Sequence, residues 1–511
     1  MTHANGAPER SAGRIGTLIL SRPEAVFWGF LVLHVTAWTL LPALANPNLP
    51  LDVIEGLAWG REWQFGYAKH PPLSAWLMEI FAALGGGADW SLYLLSQVSV
   101  GISLWAMWRL AREFIEPVPA LLSVLLLEGI YYNNFTSPEF NANVVLLPLW
   151  ALAILALRRA VTGGSWQAWA GWGLAAGLGM LGKYYTAVLI AAMATMVLIT
   201  PAYRRQLTRP GPYIGLAVFA AVLVPHAMWL IANDFPTFSY VAQRAGSGAG
   251  AWSDRIVYPL RFLVGQVPIV LPALLIMIAL GRPKWGGALS GEGARFLLFV
   301  GFGPLVVTLL LSAVVGFKVR SMWGTPLLLT SGLMLIGWFG PAVTSAGLRR
   351  FTWAWAGIFA VALTAYTGTV VLRPFFYDTG KRTHFPGRPM AEALTAAWRA
   401  RFDSPVPVIV GDAWAAGNAA YYSPDRPSVY IDANPAVAPW LNDEDVAKSG
   451  AILVWLGPRG GGTAAPFAKT PLATLRRRIG PVEEQPPLSL PWQVWGDMPP
   501  QSIGWALIPP R

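Results

Sequence analysis

The densest group of side chains able to do chemistry lies between residues 51 and 73 of this 511-residue chain. It includes Asp52 and Glu55, which are three positions apart and would share one face of a helix. A carboxylate there would act as a general base on a hydroxyl or hold a cation. Asp also favours helix N-caps, so a capping role for Asp52 stays open. Asp52 and Glu55 are therefore candidate catalytic carboxylates.

The motif Tyr67-Ala-Lys-His-Pro-Pro72 follows in the same stretch. Its two prolines fix an extended turn before the apolar segment 73–84, and they hold Lys69 and His70 beside the membrane surface. Such groups suit an anionic lipid headgroup. Lys and aromatic side chains also anchor proteins at the interface, so that role stays open as an alternative.

The elements that must position these residues are membrane helices. The chain is 55% hydrophobic and only 12% charged, whereas soluble proteins carry about 25% charged residues. We expect about eleven spans, the first retained rather than cleaved, because the apolar blocks approach the length that crosses a bilayer. The blocks are 23–45, 90–112, 118–133, 140–158, 167–182, 185–201, 212–232, 257–280, 295–315, 322–340 and 351–372.

The net charge of +11 is explained by topology, and we expect no nucleic-acid partner. Lys and Arg concentrate in one set of loops, which the positive-inside rule places in the cytoplasm together with the N-terminus. An odd number of spans then puts the C-terminal segment outside. The two long loops, 46–89 and 233–255, are also external, so we expect the chemistry at that face. The chain has no cysteine, which excludes disulfides, thiolate metal sites and a cysteine nucleophile.

The composition changes near residue 375, which predicts a membrane domain over 1–374 and a small external α/β domain over 375–511. Strands are expected at 405–412, 428–431 and 451–456, with a helix at 413–422. The Gly-rich run 457–462 follows the last of these strands. It lacks the spacing of known phosphate-binding loops, which favours a flexible loop over a phosphate site.

The stretch 52–73 resembles the first external loop of bacterial membrane glycosyltransferases of the protein O-mannosyltransferase-like group. These include the aminoarabinose transferases of lipid A and rhizobial lipopolysaccharide glycosyltransferases. Three further segments resemble the group in the same order: Thr136-Ser-Pro-Glu139, Gly179-Met-Leu-Gly-Lys-Tyr-Tyr-Thr-Ala187 and Phe317-Lys-Val-Arg-Ser-Met-Trp323. The resemblance covers about residues 1–375 and implies the membrane-embedded fold called GT-C.

The resemblance also implies an activity. Such enzymes transfer a sugar from a polyprenyl phosphate to an external glycolipid or glycan acceptor, usually inverting the anomeric centre. This makes Asp52 the candidate base in a bacterial inner membrane, with Glu55 and Glu139 as further catalytic candidates. Developing phosphate charge needs cations, and the candidates are Lys69, His70, Lys183, Lys318, Arg320 and Arg244. Sugar or acceptor contacts are expected from Tyr67, Tyr184 and Trp323.

Two departures from the group's pattern concern a metal. The acidic residue before its His-Pro-Pro is Lys69 here, and the second residue of its Asp-Glu pair is Val53, although Glu55 would lie on the same helix face. A divalent cation held by His70, His226 and Glu139 stays open, but these residues have no sequence-local ligand spacing.

Two other functions are alternatives to monosaccharide transfer. A transporter or flippase for an amphipathic glycolipid would favour internal repeats and ionisable groups in mid-span, which the sequence lacks. A polymerase or ligase of lipid-linked oligosaccharides is separated only by the order of the motifs. The aromatic and Gly-rich loop 233–252 is expected to be a lid over the donor or an ordinary flexible loop.

Overall fold

The computed structural model describes residues 13–244, 250–286, 289, 291–377, 380–459, 461–496 and 498–511. Among these residues, seven helices are long and apolar enough to cross a membrane, and nine if two bent pairs each form one span. The seven are Pro23–Ala45, Trp90–Ala111, Leu146–Gly163, Pro210–Ala232, Asp254–Leu280, Gly291–Val315 and Ser345–Phe375. The bent pairs are Thr186–Ile199 with Pro201–Thr208, at 92°, and Ser321–Leu328 with Ser331–Phe339, at 57°.

The two remaining expected spans also form helices, but short ones. The block 118–133 becomes Pro117–Leu125 with a 3-10 extension, Leu126–Gly129, buried among other helices. The block 167–182 becomes Trp166–Gly182, a 17-residue helix. Both are shorter than the roughly 20 residues that a perpendicular crossing needs. Each of the eleven expected blocks is thus helical over most of its length, but only seven to nine of these helices are long enough to be candidate spans.

The helix Trp166–Gly182 packs closely on Pro210–Ala232 because glycines line the contact. A Cβ on Gly173 would lie 2.1 Å from the carbonyl oxygen of Gly215. Small residues of this kind let membrane helices approach each other closely without a gap in the packing.

Shorter helices connect and flank the spans. They are Gly13–Ser21, Leu51–Gly60, Leu73–Leu84, Tyr131–Asn133 (3-10), Pro236–Arg244 and Arg382–His384 (3-10). The first long loop, 46–89, contains two of these helices. Asp52 and Glu55 lie on the first of them, Leu51–Gly60.

The C-terminal region is a five-stranded sheet with helices. The strands are β1 Val408–Gly411, β2 Ser428–Ile431, β3 Ala451–Leu456, β4 Glu483–Leu490 and β5 Gln501–Ile508, in the order β2-β1-β3-β5-β4. Strand β1 is parallel to β2 and β3, whereas β5 is antiparallel to β3 and β4. The helices are Gly387–Phe402, Ala415–Tyr421, Asp443–Ser449 and Leu475–Ile479. The expected α/β class is confirmed, and the predicted β1, β2 and β3 are present.

The C-terminal region packs against the first long loop through specific hydrogen bonds. The Tyr422 hydroxyl accepts from the Leu49 N–H at 3.0 Å and donates to Asp89 Oδ2 at 3.0 Å. Arg426 donates to Glu79 at 2.7 Å. The helix Ala415–Tyr421 lies directly on Leu51–Gly60. The C-terminal region therefore helps to position the helix that contains Asp52.

Candidate active site

Asp52 and Glu139 meet at the start of the helix Leu51–Gly60. The N-cap position is Pro50, so Asp52 is the second helical residue and its N–H lacks an intrahelical partner. Glu139 accepts this N–H at 3.1 Å. The two carboxylates interact electrostatically, since burial and then the charge of Asp52 raise the pKa of Glu139 to about 7. At neutral pH a large share of Glu139 is thus protonated, whereas an ordinary glutamate would be ionised.

The turn that contains Glu139 is tied to the neighbouring span Trp90–Ala111. Gln97 donates to the Ser137 hydroxyl at 3.1 Å, and the Ser96 hydroxyl donates to the Pro138 carbonyl at 3.4 Å. These bonds fix the turn just before Glu139. The sequence located Glu139 by the Thr-Ser-Pro-Glu segment but gave no sign of these anchors.

Lys183 lies at the same end of the helix bundle, where Trp166–Gly182 ends. Its amine donates to Asn143 Oδ1 at 2.6 Å and lies 4.8 Å from the centre of the Trp323 ring. Burial lowers the pKa of Lys183 to about 7, and the nearby charge of Asp52 opposes that shift. The structure thus brings together Asp52, Glu139, Lys183 and Trp323 from four distant segments. Asn143 was not predicted from the sequence.

Glu55 and Lys69 form an ion pair beside this group. Burial raises the pKa of Glu55, and the Lys69 ammonium acts against that shift. Lys69 also lies 5.9 Å from the centre of the Trp59 ring. Lys69, which stands where the resembled glycosyltransferases have an acidic residue, therefore pairs with Glu55, one helical turn after Asp52.

Tyr184 and His226 form a separate polar chain at the first long loop. His226 Nδ1 donates to the Phe65 carbonyl at 2.6 Å, which leaves Nε2 to accept from the Tyr184 hydroxyl at 2.6 Å. Thr237, on the helix Pro236–Arg244, donates to the Tyr67 carbonyl at 3.1 Å. The first turn of the proposed lid is thus docked on the loop, whereas residues 245–249 lie outside the described part.

Other predicted site residues are placed differently. Tyr67 is fully buried and packs between Trp59 and Trp440, with ring centres 5.5 and 6.1 Å away. Lys318 and Arg320 are exposed. The side chain of Arg244 lies outside the described residues. Lys183 is therefore the predicted cation that the structure brings to the Asp52 and Glu139 pair.

The expected metal ligands do not converge. His226 uses both ring nitrogens in the chain described above, and Glu139 caps Asp52. His70 stacks edge-on against Trp59, with ring centres 6.3 Å apart. No group of three or more His, Asp or Glu side chains suited to a metal occurs among the described residues. The residues present do not fit a divalent cation held by protein ligands alone.

Arg382 is the site residue that sequence reasoning missed. It follows the last span, in the short 3-10 helix Arg382–His384, and interacts electrostatically with Glu139, Asp52 and Asp412. Asn48 fixes this segment, because its N–H donates to the Thr383 carbonyl at 3.0 Å. No local motif marks Arg382, which is more than three hundred positions from Asp52 in the sequence.

An apolar cavity of about 620 Å³ opens among the helices. Its lining includes Gln266, Trp285, Phe339 and Gly324, the residue after Trp323. A π-helical turn, Leu298–Phe302, forms part of its wall. Gly324 thus links the cavity to Trp323, which lies beside Lys183.

Fold and site define a class, a membrane enzyme with a polar site at one end of its helix bundle. Comparison with known proteins agrees. A structure of ArnT from Cupriavidus metallidurans bound to undecaprenyl phosphate superposes with a TM-score of 0.58 over 94% of this chain and 97% of that one, at 13% identity. This likeness shows the fold, which is GT-C.

Sequence matches extend the comparison. A family model described as dolichyl-phosphate-mannose-protein mannosyltransferase matches residues 69–229. The lipopolysaccharide core galacturonosyltransferase RgtA of Rhizobium johnstonii is 24% identical over 84% of this chain and 85% of its own length. An undecaprenyl phosphate-aminoarabinose arabinosyl transferase of Sodalis glossinidius is 25% identical over 60% of this chain and 66% of its own length. The resemblance inferred from the sequence is confirmed, and the protein is a GT-C membrane glycosyltransferase related to these enzymes.

Proposed function

We propose that the protein transfers one sugar from a polyprenyl phosphate to a hydroxyl of an envelope glycolipid, with inversion at the anomeric carbon. The observation that carries the proposal is that an apolar cavity and a charged site are linked through two adjacent residues. Gly324 lines the cavity, and the ring of its neighbour Trp323 lies 4.8 Å from the Lys183 amine, which interacts electrostatically with Asp52. A donor with a long apolar chain, a phosphate and a sugar matches an apolar cavity linked to a charged site.

In the proposed reaction, Asp52 is the base and polyprenyl phosphate is the leaving group. Asp52 takes the proton of the acceptor hydroxyl as its oxygen attacks the anomeric carbon. The bond from that carbon to the phosphate oxygen breaks, and its electron pair leaves with polyprenyl phosphate. The products are the glycosylated acceptor and a phosphate with one more negative charge.

Lys183 is the cation for that growing charge. A buried amine stabilises an anion more strongly than an exposed one, because the local dielectric constant is low. Glu139, whose raised pKa favours the protonated form, is suited to donate a hydrogen bond to the sugar or acceptor. The exposed Lys318 and Arg320 are proposed to meet phosphate headgroups at the surface of the site.

We propose that the site faces the periplasm from a bacterial inner membrane. The support is the charge asymmetry of the loops, whose basic set lies with the N-terminus, and the packing of the C-terminal region on the first long loop, which belongs to the opposite set. The relatives named above act on lipopolysaccharide core or use an undecaprenyl phosphate donor. A lipopolysaccharide or lipid A acceptor follows from them as the substrate class to test.

The test is transfer by the purified protein in lipid nanodiscs. A radiolabelled sugar on polyprenyl phosphate should move to lipopolysaccharide extracted from a strain that lacks the gene. Asp52→Asn should lower the rate by about 10²–10⁴-fold, the usual contribution of a general base. Full activity of Asp52→Asn would remove Asp52 as the base, and absence of transfer from every lipid-linked sugar by the unaltered protein would remove the proposed function.

A further inference from the structure

Arg382 presents a donor group that the protein itself leaves unused. Its Nη1 atom is buried, and it has no hydrogen-bond partner within the described residues. Buried guanidinium nitrogens are ordinarily hydrogen-bonded, since an unmet donor is costly. The side chain is also held in place, with its guanidinium carbon 5.4 Å from the centre of the Trp414 ring. A fixed cation with a free donor is suited to receive a ligand.

Two of the three carboxylates that act on Arg382 also accept backbone hydrogen bonds. Glu139 Oε1 accepts from the Asp52 N–H. Asp412 Oδ1 accepts from the N–H groups of Trp414 and Ala415, at 2.8 and 2.9 Å, where the helix Ala415–Tyr421 begins. The Nη1 atom of Arg382 has no hydrogen bond to either carboxylate.

A second arginine approaches from the Gly-rich run after β3. Arg459 lies close enough to Arg382 for their repulsion, together with burial as the larger cause, to lower the pKa of Arg382. Two guanidinium groups near each other offer an anion two positively charged hydrogen-bond donors. The Gly-rich run 457–462, which lacks the spacing of a phosphate-binding loop, therefore contributes the charged side chain of Arg459 to this region.

We propose that Arg382, assisted by Arg459, binds an oxyanion of the lipid-linked donor within the site of Asp52 and Glu139. The oxyanion is either the donor's phosphate or a carboxylate on its sugar, and both match the planar fork of a guanidinium. This inference rests on the proposed function for the identity of the donor. It makes the C-terminal region a direct contributor to substrate binding, beyond its packing on the first long loop.

The experiment measures donor affinity for the full-length protein in nanodiscs, without an acceptor. Three probes are compared: polyprenyl phosphate, polyprenyl-phosphate hexose and polyprenyl-phosphate hexuronate. Arg382→Gln should weaken binding by about ten- to hundred-fold, the worth of a hydrogen bond to a charged group. Loss with all three probes identifies the phosphate, and loss with the hexuronate alone identifies a sugar carboxylate. Arg382→Lys should fall between Arg382→Gln and the unaltered protein.

Two controls make the result decisive. Arg401→Gln removes an exposed arginine of the helix Gly387–Phe402, which pairs with Glu483 at 3.6 Å, and should leave all three affinities unchanged. Polyprenol, which has no phosphate, should bind Arg382→Gln and the unaltered protein equally and so report a folded lipid site. Unchanged affinity of Arg382→Gln for all three probes overturns the inference, even where the unaltered protein transfers sugar. Absence of transfer together with lost anion binding overturns the proposed function alone.

Discussion

At the residue scale, the proposed acid and base roles rest on the raised pKa of one of two neighbouring carboxyl groups, Asp52 and Glu139. The raised pKa of Glu139 has burial as its first cause and the Asp52 charge as its second. Both causes act against a charged Glu139 while Asp52 is ionised. Pairs whose environments separate their pKa values commonly mark the acid and base of an active site. This division favours Asp52 as the base and Glu139 as a neutral donor.

Replacing Glu139 by Gln should therefore be tolerated much better than replacing Asp52 by Asn. A Gln keeps the oxygen that accepts the Asp52 N–H and resembles the neutral carboxyl, so we expect activity within about tenfold of the unaltered enzyme at pH 6.5. Initial transfer rates check this. An equal loss in Glu139→Gln and Asp52→Asn, with unchanged unfolding midpoints, would show that the charge of Glu139 is required.

Donor affinity should fall as the pH rises above about 7, the pKa of the Lys183 amine. An anion favours the ammonium form, which is already present below that pH. Above it, the free enzyme loses the proton that the complex needs, so affinity falls by up to about tenfold per pH unit. The probe is polyprenyl-phosphate hexose, because a phosphodiester does not itself titrate in this range.

The control for this titration is a Glu139→Gln background, since Glu139 ionises over the same range. Lys183→Met should bind weakly with no pH dependence, and Lys183→Arg should bind without the decline above pH 7 because Arg stays charged. A flat affinity profile for Glu139→Gln between about pH 6 and pH 9 would contradict the role given to Lys183.

At the element scale, broken helices form part of the wall of the apolar cavity. The π-helical turn Leu298–Phe302 interrupts one span, and the bent pair from Ser321 to Phe339 forms another part of the wall. Irregular backbone in a membrane is tolerated where it lines a cavity or is buried in protein. Because of these irregularities, the helices leave a cavity between them instead of packing along a continuous surface.

Filling the cavity should discriminate against long donors. Leu335→Trp enlarges a lining residue, and excluding about two CH₂ groups of the lipid would raise KM by about tenfold, at roughly 0.8 kcal/mol each. A donor with a short prenyl chain should keep its KM. The matched control is Leu310→Trp, on Gly303–Val315 and 58% exposed. Equal effects of Leu335→Trp on long and short donors would place the lipid elsewhere.

At the scale of the whole molecule, the C-terminal region and the first long loop form one surface around the site. Gly387 is the tightest point of this contact, because a Cβ there would lie 2.3 Å from Asn48 Oδ1 and 2.4 Å from Asn418 Oδ1. The Tyr422 bridge and the Arg426 pair to Glu79 flank it. The proposed site therefore lies on the side of the membrane that holds the C-terminal region.

The orientation is open to direct labelling, because the chain has no cysteine. Lys448→Cys is exposed on the C-terminal region, and Arg349→Cys is exposed at the start of the last span. A membrane-impermeant maleimide added to spheroplasts should label the first and spare the second until the membrane is permeabilised. The reverse labelling pattern would put the site in the cytoplasm.

The edge strand β4 shows why part of the C-terminal fold was not predictable. Pro486 and Pro487 argue against a strand in the sequence, because proline cannot donate to a ladder. In the structure β4 is an edge strand that pairs only with β5, and the register shifts between Gln485 and Leu488. The prolines lie in that irregularity, where no ladder bond is lost. Edge position depends on tertiary packing, which local sequence does not encode.

The sequence by itself determined the membrane class, the positions of the apolar helices and the central strands β1, β2 and β3. These follow from hydrophobic runs and local propensity, which act over a few residues. It also singled out Asp52, Glu139 and Lys183, through motif resemblance.

Tertiary structure alone decided which of the candidate groups meet. It paired Lys69 with Glu55, enclosed Tyr67 and exposed Lys318. It also brought Arg382, which follows the last span in the sequence, to the Asp52 site. Such contacts are set by how distant segments pack and by which charges lose water, and neither is written in local spacing.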